Sequence, residues 1–240
     1  MKISVVHEIN FKEDYSMKKT GLNWWCDRAW IKFSCVIAVI MTGLILLNWE
    51  KWSMELKMIA AIAALIPIHV IEEWVFPGGF HYQFNCISKS DQLDRYPMCR
   101  LTDMITNIVA TLFYVFLTVL SLINGKVSNG IILGTIIFCA LELVVHTIFG
   151  IIMYDKFKAK GKTTIYGPGS LTAYFGFTVF GIILMFCLKE RMIVSSDWIG
   201  AVEVVGFILF VCLLLPDFLF KKKDNHYYFE SNGYFNRFEK

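Results

Sequence analysis

Three ionisable residues fall within five positions in His69-Val70-Ile71-Glu72-Glu73, inside an otherwise apolar stretch. In a helix His69 lies over Glu73 at i,i+4 and beside Glu72 at i,i+3. Glu142 and His146 form a second pair at i,i+4, and Asp103 and Asn107 a third. Imidazole and carboxylate together suit Zn, Fe or Mn. A mononuclear zinc centre uses three protein ligands and one open position. His69, His146 and either Glu73 or Glu142 supply three, and the remaining carboxylate is then placed as a general base. The candidate metal ligands are therefore His69, Glu73, Glu142 and His146, with Glu72 and Glu73 as candidate catalytic carboxylates. The expected cofactor is a divalent metal, Zn before Fe or Mn. The spacing is neither the Glu-x-x-His of bundled di-iron proteins nor the His-Glu-x-x-His of zincins. The same groups also suit a metal-free proton relay or plain interhelical hydrogen bonds.

The elements that must position these residues follow from hydropathy. Six apolar blocks, 29–49, 58–76, 104–123, 131–153, 170–188 and 198–220, each have the roughly 20 residues that a helix needs to span a bilayer. Backbone groups in lipid must be satisfied within the segment, so each block is expected to be a helix. An ionisable residue in a spanning helix costs about 2.5–3.5 kcal/mol on insertion scales, so three in five residues need a reason. Depth supplies one. At about 1.5 Å per residue, His69, Asn107 and His146 lie about 9–10 Å in from the ends of their helices on one side of the membrane. The chain direction alternates, yet the depths agree, with Glu72, Glu73 and Asp103 nearer that side and Glu142 nearer the midplane. Convergence in one layer predicts the two imidazoles within about 8 Å of each other, the span of two opposed ligands on one metal plus relaxation.

Several loops bear on this layer. Pro67 is expected to loosen or kink the helix just before the motif. Phe76-Pro77-Gly78-Gly79 ends that helix. The segment 82–100 is too polar to span, so it is expected as an interfacial loop, or as a lid with His81 as an extra ligand. Tyr166-Gly167-Pro168-Gly169-Ser170 precedes the fifth block, with Ser170 as a candidate N-cap. Asp103, Asn107, Tyr166 and Ser170 are the expected substrate-contacting or supporting residues.

Of the 240 residues, 56% are hydrophobic and 18% charged, which excludes a soluble globular enzyme, a disordered chain and a small disulfide scaffold. An outer-membrane barrel would show alternating segments of about ten residues instead. A net charge of +3 gives no basis for nucleic-acid binding; the expected partners are membrane lipids and a lipid-like substrate, and oligomeric state is left open. The seven cysteines include no CxxC pair, and four lie within apolar blocks as small hydrophobes. The expected class is an all-α polytopic bundle of about six transmembrane helices. Residues 1–28 form an N-terminal segment without a cleavable leader pattern, 29–220 the membrane domain and 221–240 a C-terminal tail.

His69-Val70-Ile71-Glu72-Glu73 resembles the name-giving motif of the HXXEE-domain family of small multi-pass membrane proteins. The resemblance runs over about 62–188, through Glu142 and His146 to Tyr166-Gly167-Pro168-Gly169. That last element is similar to a Tyr-Asn-Pro-Gly pattern in the family, with Gly167 in place of the Asn. The resemblance implies an integral membrane protein with a polar or metal site, and no particular reaction or substrate.

Three functions fit these residues: a metal-dependent membrane enzyme, hydrolytic and acting on an apolar substrate; a di-iron membrane oxidoreductase; and a proton-coupled transporter with the carboxylates as relay. Six crossings put 18 of the 23 Lys and Arg on the side of both termini, which the positive-inside rule makes cytoplasmic. Cysteines introduced near Lys126 and Lys160 should accordingly be labelled from opposite sides of intact cells. Equal labelling from outside would overturn that orientation.

Overall fold

The computed structural model describes residues 21–239. Among them there is no strand. Six helices are long and apolar enough to cross a membrane: α1 (Leu22–Leu47), α2 (Met54–Val75), α4 (Arg100–Ile123), α5 (Asn129–Lys160), α6 (Ser170–Leu188) and α7 (Ser195–Phe220). A short helix, α3 (Phe80–Ile87), sits in the link between α2 and α4. The polar 82–100 segment is thus part helix and part loop.

α2 is the central element. In its most apolar stretch 72% of residues are buried, against 22–33% in the other five helices. α1, α4 and α6 pack against it, α5 packs on α6 and α7, and α7 returns to α4. Ile59, Ala60, Ile62 and Ala63 are completely enclosed. Small side chains on α2 let neighbouring backbones approach, as membrane helices need where lipid offers no hydrophobic drive. This explains how α2 carries His69, Glu72 and Glu73: all three are buried, while Ile68 and Val75 on the same helix remain exposed.

Helix starts are fixed by side chains. Ser53 Oγ accepts the Leu56 N–H at 3.4 Å and Ser128 Oγ that of Ile131 at 3.2 Å, satisfying donors with no partner inside the helix. At the end of the bundle remote from the motif, Arg191 pairs with Glu55 and ties the α6–α7 link to α2.

The helix continues through Pro67, and a wider turn follows it. α2 runs as regular helix through Pro67 to Val70 and widens only over Ile71–Val75, where Phe76 N–H reaches the Ile71 carbonyl at 2.9 Å, one residue further than an α-helical bond. Similar widening occurs over Ala173–Phe177 in α6 and Phe207–Leu214 in α7. Such turns often accompany functional sites, because they re-aim side chains.

The N-terminal segment expected over 1–28 lies mostly outside the described residues. The C-terminal segment does not hang free: it recrosses the motif end of the bundle. Arg100 N–H donates to Tyr227 O at 2.9 Å, Phe229 N–H to Asp94 O at 2.8 Å and Tyr234 N–H to Gly78 O at 2.9 Å. Phe235 is fully buried against Tyr82 and Phe157.

Where α5 crosses α7, Gly130 meets Gly200 so closely that a Cβ at Gly130 would stand 2.9 Å from the Gly200 Cα. Gly130→Ala should therefore destabilise by about 1–3 kcal/mol, the usual cost of overpacking. Gly43→Ala, with nothing within 4 Å of the added carbon, should be neutral or gain up to about 1 kcal/mol of helix propensity. Thermal unfolding of the two variants in one detergent measures both.

Candidate metal site

His69 on α2 and His146 on α5 face each other edge to face, ring centroids 4.9 Å apart. Each directs Nε2 at the same two carboxylates. His69 Nε2 lies 3.3 Å from Glu73 Oε1 and 3.6 Å from Glu142 Oε2. His146 Nε2 lies 3.6 Å and 3.5 Å from the same two atoms. Ligand atoms of His69, Glu73 and His146 all fall within 4.8 Å of one another, and all three residues are buried. Glu142 stands outside that mutual set and is the more open group, its side chain 24% exposed against 5% for Glu73.

These distances have a chemical meaning. Tetrahedral coordination at about 2.0–2.1 Å puts neighbouring ligand atoms about 3.3–3.4 Å apart. The observed N–O separations of 3.3–3.6 Å are close to that edge. His69, Glu73 and His146 form a buried cluster that can hold a metal ion.

The outer side of His69 fixes its proton. His69 Nδ1 is 2.7 Å from Thr172 Oγ1. Thr172 Oγ1 is itself 2.6 Å from Glu72 Oε2. A carboxylate only accepts, so the Thr172 hydroxyl gives its one hydrogen to Glu72 and accepts from His69 Nδ1–H. A neutral His69 then presents a bare Nε2 lone pair to two carboxylate oxygens, which is repulsive unless a cation lies between them. Donation of the outer ring N–H towards a carboxylate is the usual supporting arrangement of a metal-bound imidazole. His146 Nδ1, by contrast, is buried with no hydrogen-bond partner. Packing orients that ring, with Phe80 at 5.3 Å and the backbone of Gly169 against it. Gly169 adopts φ +88°, and a Cβ there would run into His146 and come within 2.9 Å of His69 Cε1.

Glu72 departs from the catalytic place expected for it. Its carboxylate accepts Leu171 N–H and Thr172 N–H, both at 2.9 Å, the Thr172 hydroxyl, and the Tyr166 hydroxyl at 3.1 Å. It caps the N-terminus of α6 from another helix, where backbone donors and the helix dipole favour an anion. Ser170, expected as that N-cap, instead turns its hydroxyl back to accept Gly167 N–H at 3.1 Å. The cap comes from α2 because Gly169, not Ser170, precedes the first helical residue. Tyr166 lies on the Glu72 side of the network, away from the paired imidazoles. Burial and neighbouring Glu72 push its phenol pKa up, so it remains a donor.

Asp103 accepts from Trp74 Nε1 and from Asn107 Nδ2, the latter at 2.8 Å. It hydrogen-bonds neither imidazole, but Asp103 and Asn107 line the same cavity of about 280 Å³ as His69, Glu73, Glu142 and His146. His81 is not part of the cluster. It stacks on Phe229 at 3.7 Å, and burial lowers its pKa to about 3, so it is neutral. Sequence spacing could not reveal Thr172 or Gly169, because neither belongs to a polar pair within one helix. Thr172 has only its proximity to the start of α6 as a signal, and Gly169 also its place in the Tyr166-Gly167-Pro168-Gly169 element.

The sequence matches the model of a family described as a protein of unknown function with HXXEE motif, over residues 59–184. The match spans more than half of the chain, and the protein belongs to that family. Neither a curated protein nor a solved structure matches it.

The two adjacent glutamates should respond oppositely to neutralisation. Glu72→Ala strips acceptors from the α6 terminus and should destabilise by about 1–3 kcal/mol. Glu73→Gln in metal-free protein removes one of two facing carboxylates and should leave stability unchanged or raised, since uncompensated buried charge is costly. Melting of both variants after chelation tests this. Equal losses would show that Glu73 is only a structural contact.

Proposed function

We propose that this HXXEE-family protein is a metal-dependent membrane enzyme that hydrolyses a lipid-like substrate at His69, Glu73 and His146. The observation that carries the reading is the meeting of two imidazole Nε2 atoms and two carboxylates at near-tetrahedral edge lengths, with the His69 proton fixed on its far side. His69, Glu73 and His146 are assigned as ligands, Zn before Fe or Mn. The ion would supply Lewis-acid polarisation of a carbonyl and would lower the pKa of a water. Glu142, beside the same nitrogens and more open to the cavity, is assigned as general base. It takes a proton from the attacking water and returns it to the leaving group as the acyl bond breaks. Glu72, Thr172 and Tyr166 are positioning residues that hold His69 and the α6 terminus. On the basic-residue asymmetry we place both termini in the cytoplasm and the cluster in the cytoplasmic leaflet.

The orphaned Nδ1 of His146 favours a second reading, a proton relay between Glu73 and Glu142 in a transporter, with protonated imidazoles in place of the metal. A third, di-iron redox chemistry, has only two imidazoles and two carboxylates to share between two ions.

Metal analysis separates the three. After reconstitution, mass spectrometry of the purified protein should find about one transition metal per chain. The His69→Ala/His146→Ala double variant should hold none. Binding should release protons and raise the melting temperature. Two irons per chain would select the oxidoreductase, and a stoichiometry near zero would overturn the metalloenzyme and leave the relay.

A supporting-residue test follows from the same geometry. Thr172→Val keeps shape but leaves His69 Nδ1–H without an acceptor. Metal affinity should fall about 10–100-fold, as for lost outer partners of metal-bound imidazoles, with the helical fold retained. Unchanged affinity would remove Thr172 from the site.

A further inference from the structure

The cavity beside the imidazoles is polar at the cluster and at Asp103, Thr106 and Asn107 on α4, and mostly apolar elsewhere. His69, Glu73, Glu142 and His146 form its reactive wall, while Ile66, Phe138, Phe177, Ile208, Leu209 and Leu213 are among its apolar lining. α4 and α5 make no more than glancing contact, so α7 fills the gap between them with its widened stretch Phe207–Leu214. Three lining residues are also exposed on the outer surface: Val145 at 37%, Leu209 at 38% and Leu213 at 42%. All three belong to helices long and apolar enough to span the membrane. An opening between them, on α5 and α7, would face hydrocarbon.

We propose that this chamber takes one hydrocarbon chain sideways from the bilayer, between Val145 and the Leu209/Leu213 edge, and that the chain carries an ester, amide or carboxyl group to Glu142. The proposal rests on the reading of the cluster as a reaction centre for an apolar substrate, and names the substrate as a single-chain amphiphile. Energetics make the polar group essential. Lipid tails are as apolar as leucine, so a bare hydrocarbon gains little by leaving lipid for a protein cavity. A carboxyl or amide group drawn below the interface lacks hydrogen bonds in hydrocarbon; the carboxylates of the polar wall accept its O–H or N–H, and a cation held there would take a carbonyl oxygen. Size sets the number of chains inside the chamber: about 280 Å³ falls just under the roughly 300–1,000 Å³ of pockets for drug-sized ligands, room for one chain at a time, and a single-chain amphiphile enters without leaving a second chain in the bilayer.

The test is photolabelling of the full-length purified protein with a monoacylglycerol carrying a diazirine in its acyl chain, with adducts mapped by peptide mass spectrometry. Adducts should concentrate on α5 around Phe138, Leu141 and Val145 and on α7 around Ile208 and Leu213. They should be displaced by unlabelled monoacylglycerol and lost in Leu213→Trp, which plugs the mouth, and in Ala110→Trp, which fills the chamber. Leu213 is exposed enough to accept the larger ring, so it carries the test even where Ala110→Trp unfolds. Adducts spread evenly over ordinary lipid-facing positions such as Leu44 and Phe186, and insensitive to Leu213→Trp, would overturn the proposal. The His69→Ala/His146→Ala variant keeps the two failures apart. Chamber adducts in a wild-type protein that binds no metal would sink the metal reading alone, and this variant should then still be labelled. Metal bound without chamber adducts would sink the chain-binding proposal alone.

Discussion

Two imidazole nitrogens and two carboxylates share one dry layer, and the rest of the structure is arranged to make that tolerable. With His69 Nδ1–H committed to Thr172, the facing Nε2 and two carboxylate oxygens need a cation between them, either a metal or added protons. Lipid cannot provide the surrounding dipoles, so the helix bearing the motif must be enclosed by protein. This is why α2 is the most buried of the six long helices and why the outer faces of the others carry the exposed aliphatic and aromatic side chains. The polar centre dictates the packing order of the bundle as much as hydrophobic pattern does.

The two glutamates of the motif are neighbours in sequence with different work. In a regular helix successive residues point about 100° apart, since a turn holds 3.6 residues. The widened turn at Ile71–Val75 serves both directions at once, Glu73 towards the imidazoles and Glu72 towards the start of α6. Glu72 then couples three things through hydrogen bonds: the free N–H groups of α6, the Tyr166 hydroxyl and, by way of Thr172, the tautomer of His69. The two acidic residues at this helix end thus do different things: Glu73 faces the imidazoles and Glu72 braces the start of α6.

Much of this was legible from residue types. Hydropathy gave six helices because the length a bilayer demands leaves little choice, and i,i+4 spacing with equal depth put His69, Glu73, Glu142 and His146 in one layer. The family model over 59–184 agrees with the stretch that the motif pattern marks. What escaped was the division of labour between Glu72 and Glu73, because a one-residue widening of the helix leaves no mark in residue spacing. Thr172 and Ser170 exchanged expected importance for a related reason. Capping from a different helix is a tertiary event, and a serine at a helix start reads as a local cap whether or not its hydroxyl is used.

The depth of the layer is itself a consequence of backbone chemistry. At the membrane midplane every surrounding segment must be helix, because irregular backbone facing lipid leaves polar groups unpaired. His69 lies six residues, about 9 Å, from the end of α2, so loops can still reach it. Here the loop Tyr166–Gly169 supplies a hydroxyl to Glu72 and, at Gly169, a backbone pressed against both rings. Lys162 closes the same loop by donating to the Tyr166 carbonyl and the Tyr234 hydroxyl. The C-terminal segment then covers it, with Tyr234 against Tyr166 and Phe229 against Trp74, the residue that donates to Asp103. Non-helical backbone is affordable at this level because protein, not lipid, lies over it. The motif sits near the end of α2, where helices can set the facing side chains while loop backbone and loop hydroxyls fix their orientation.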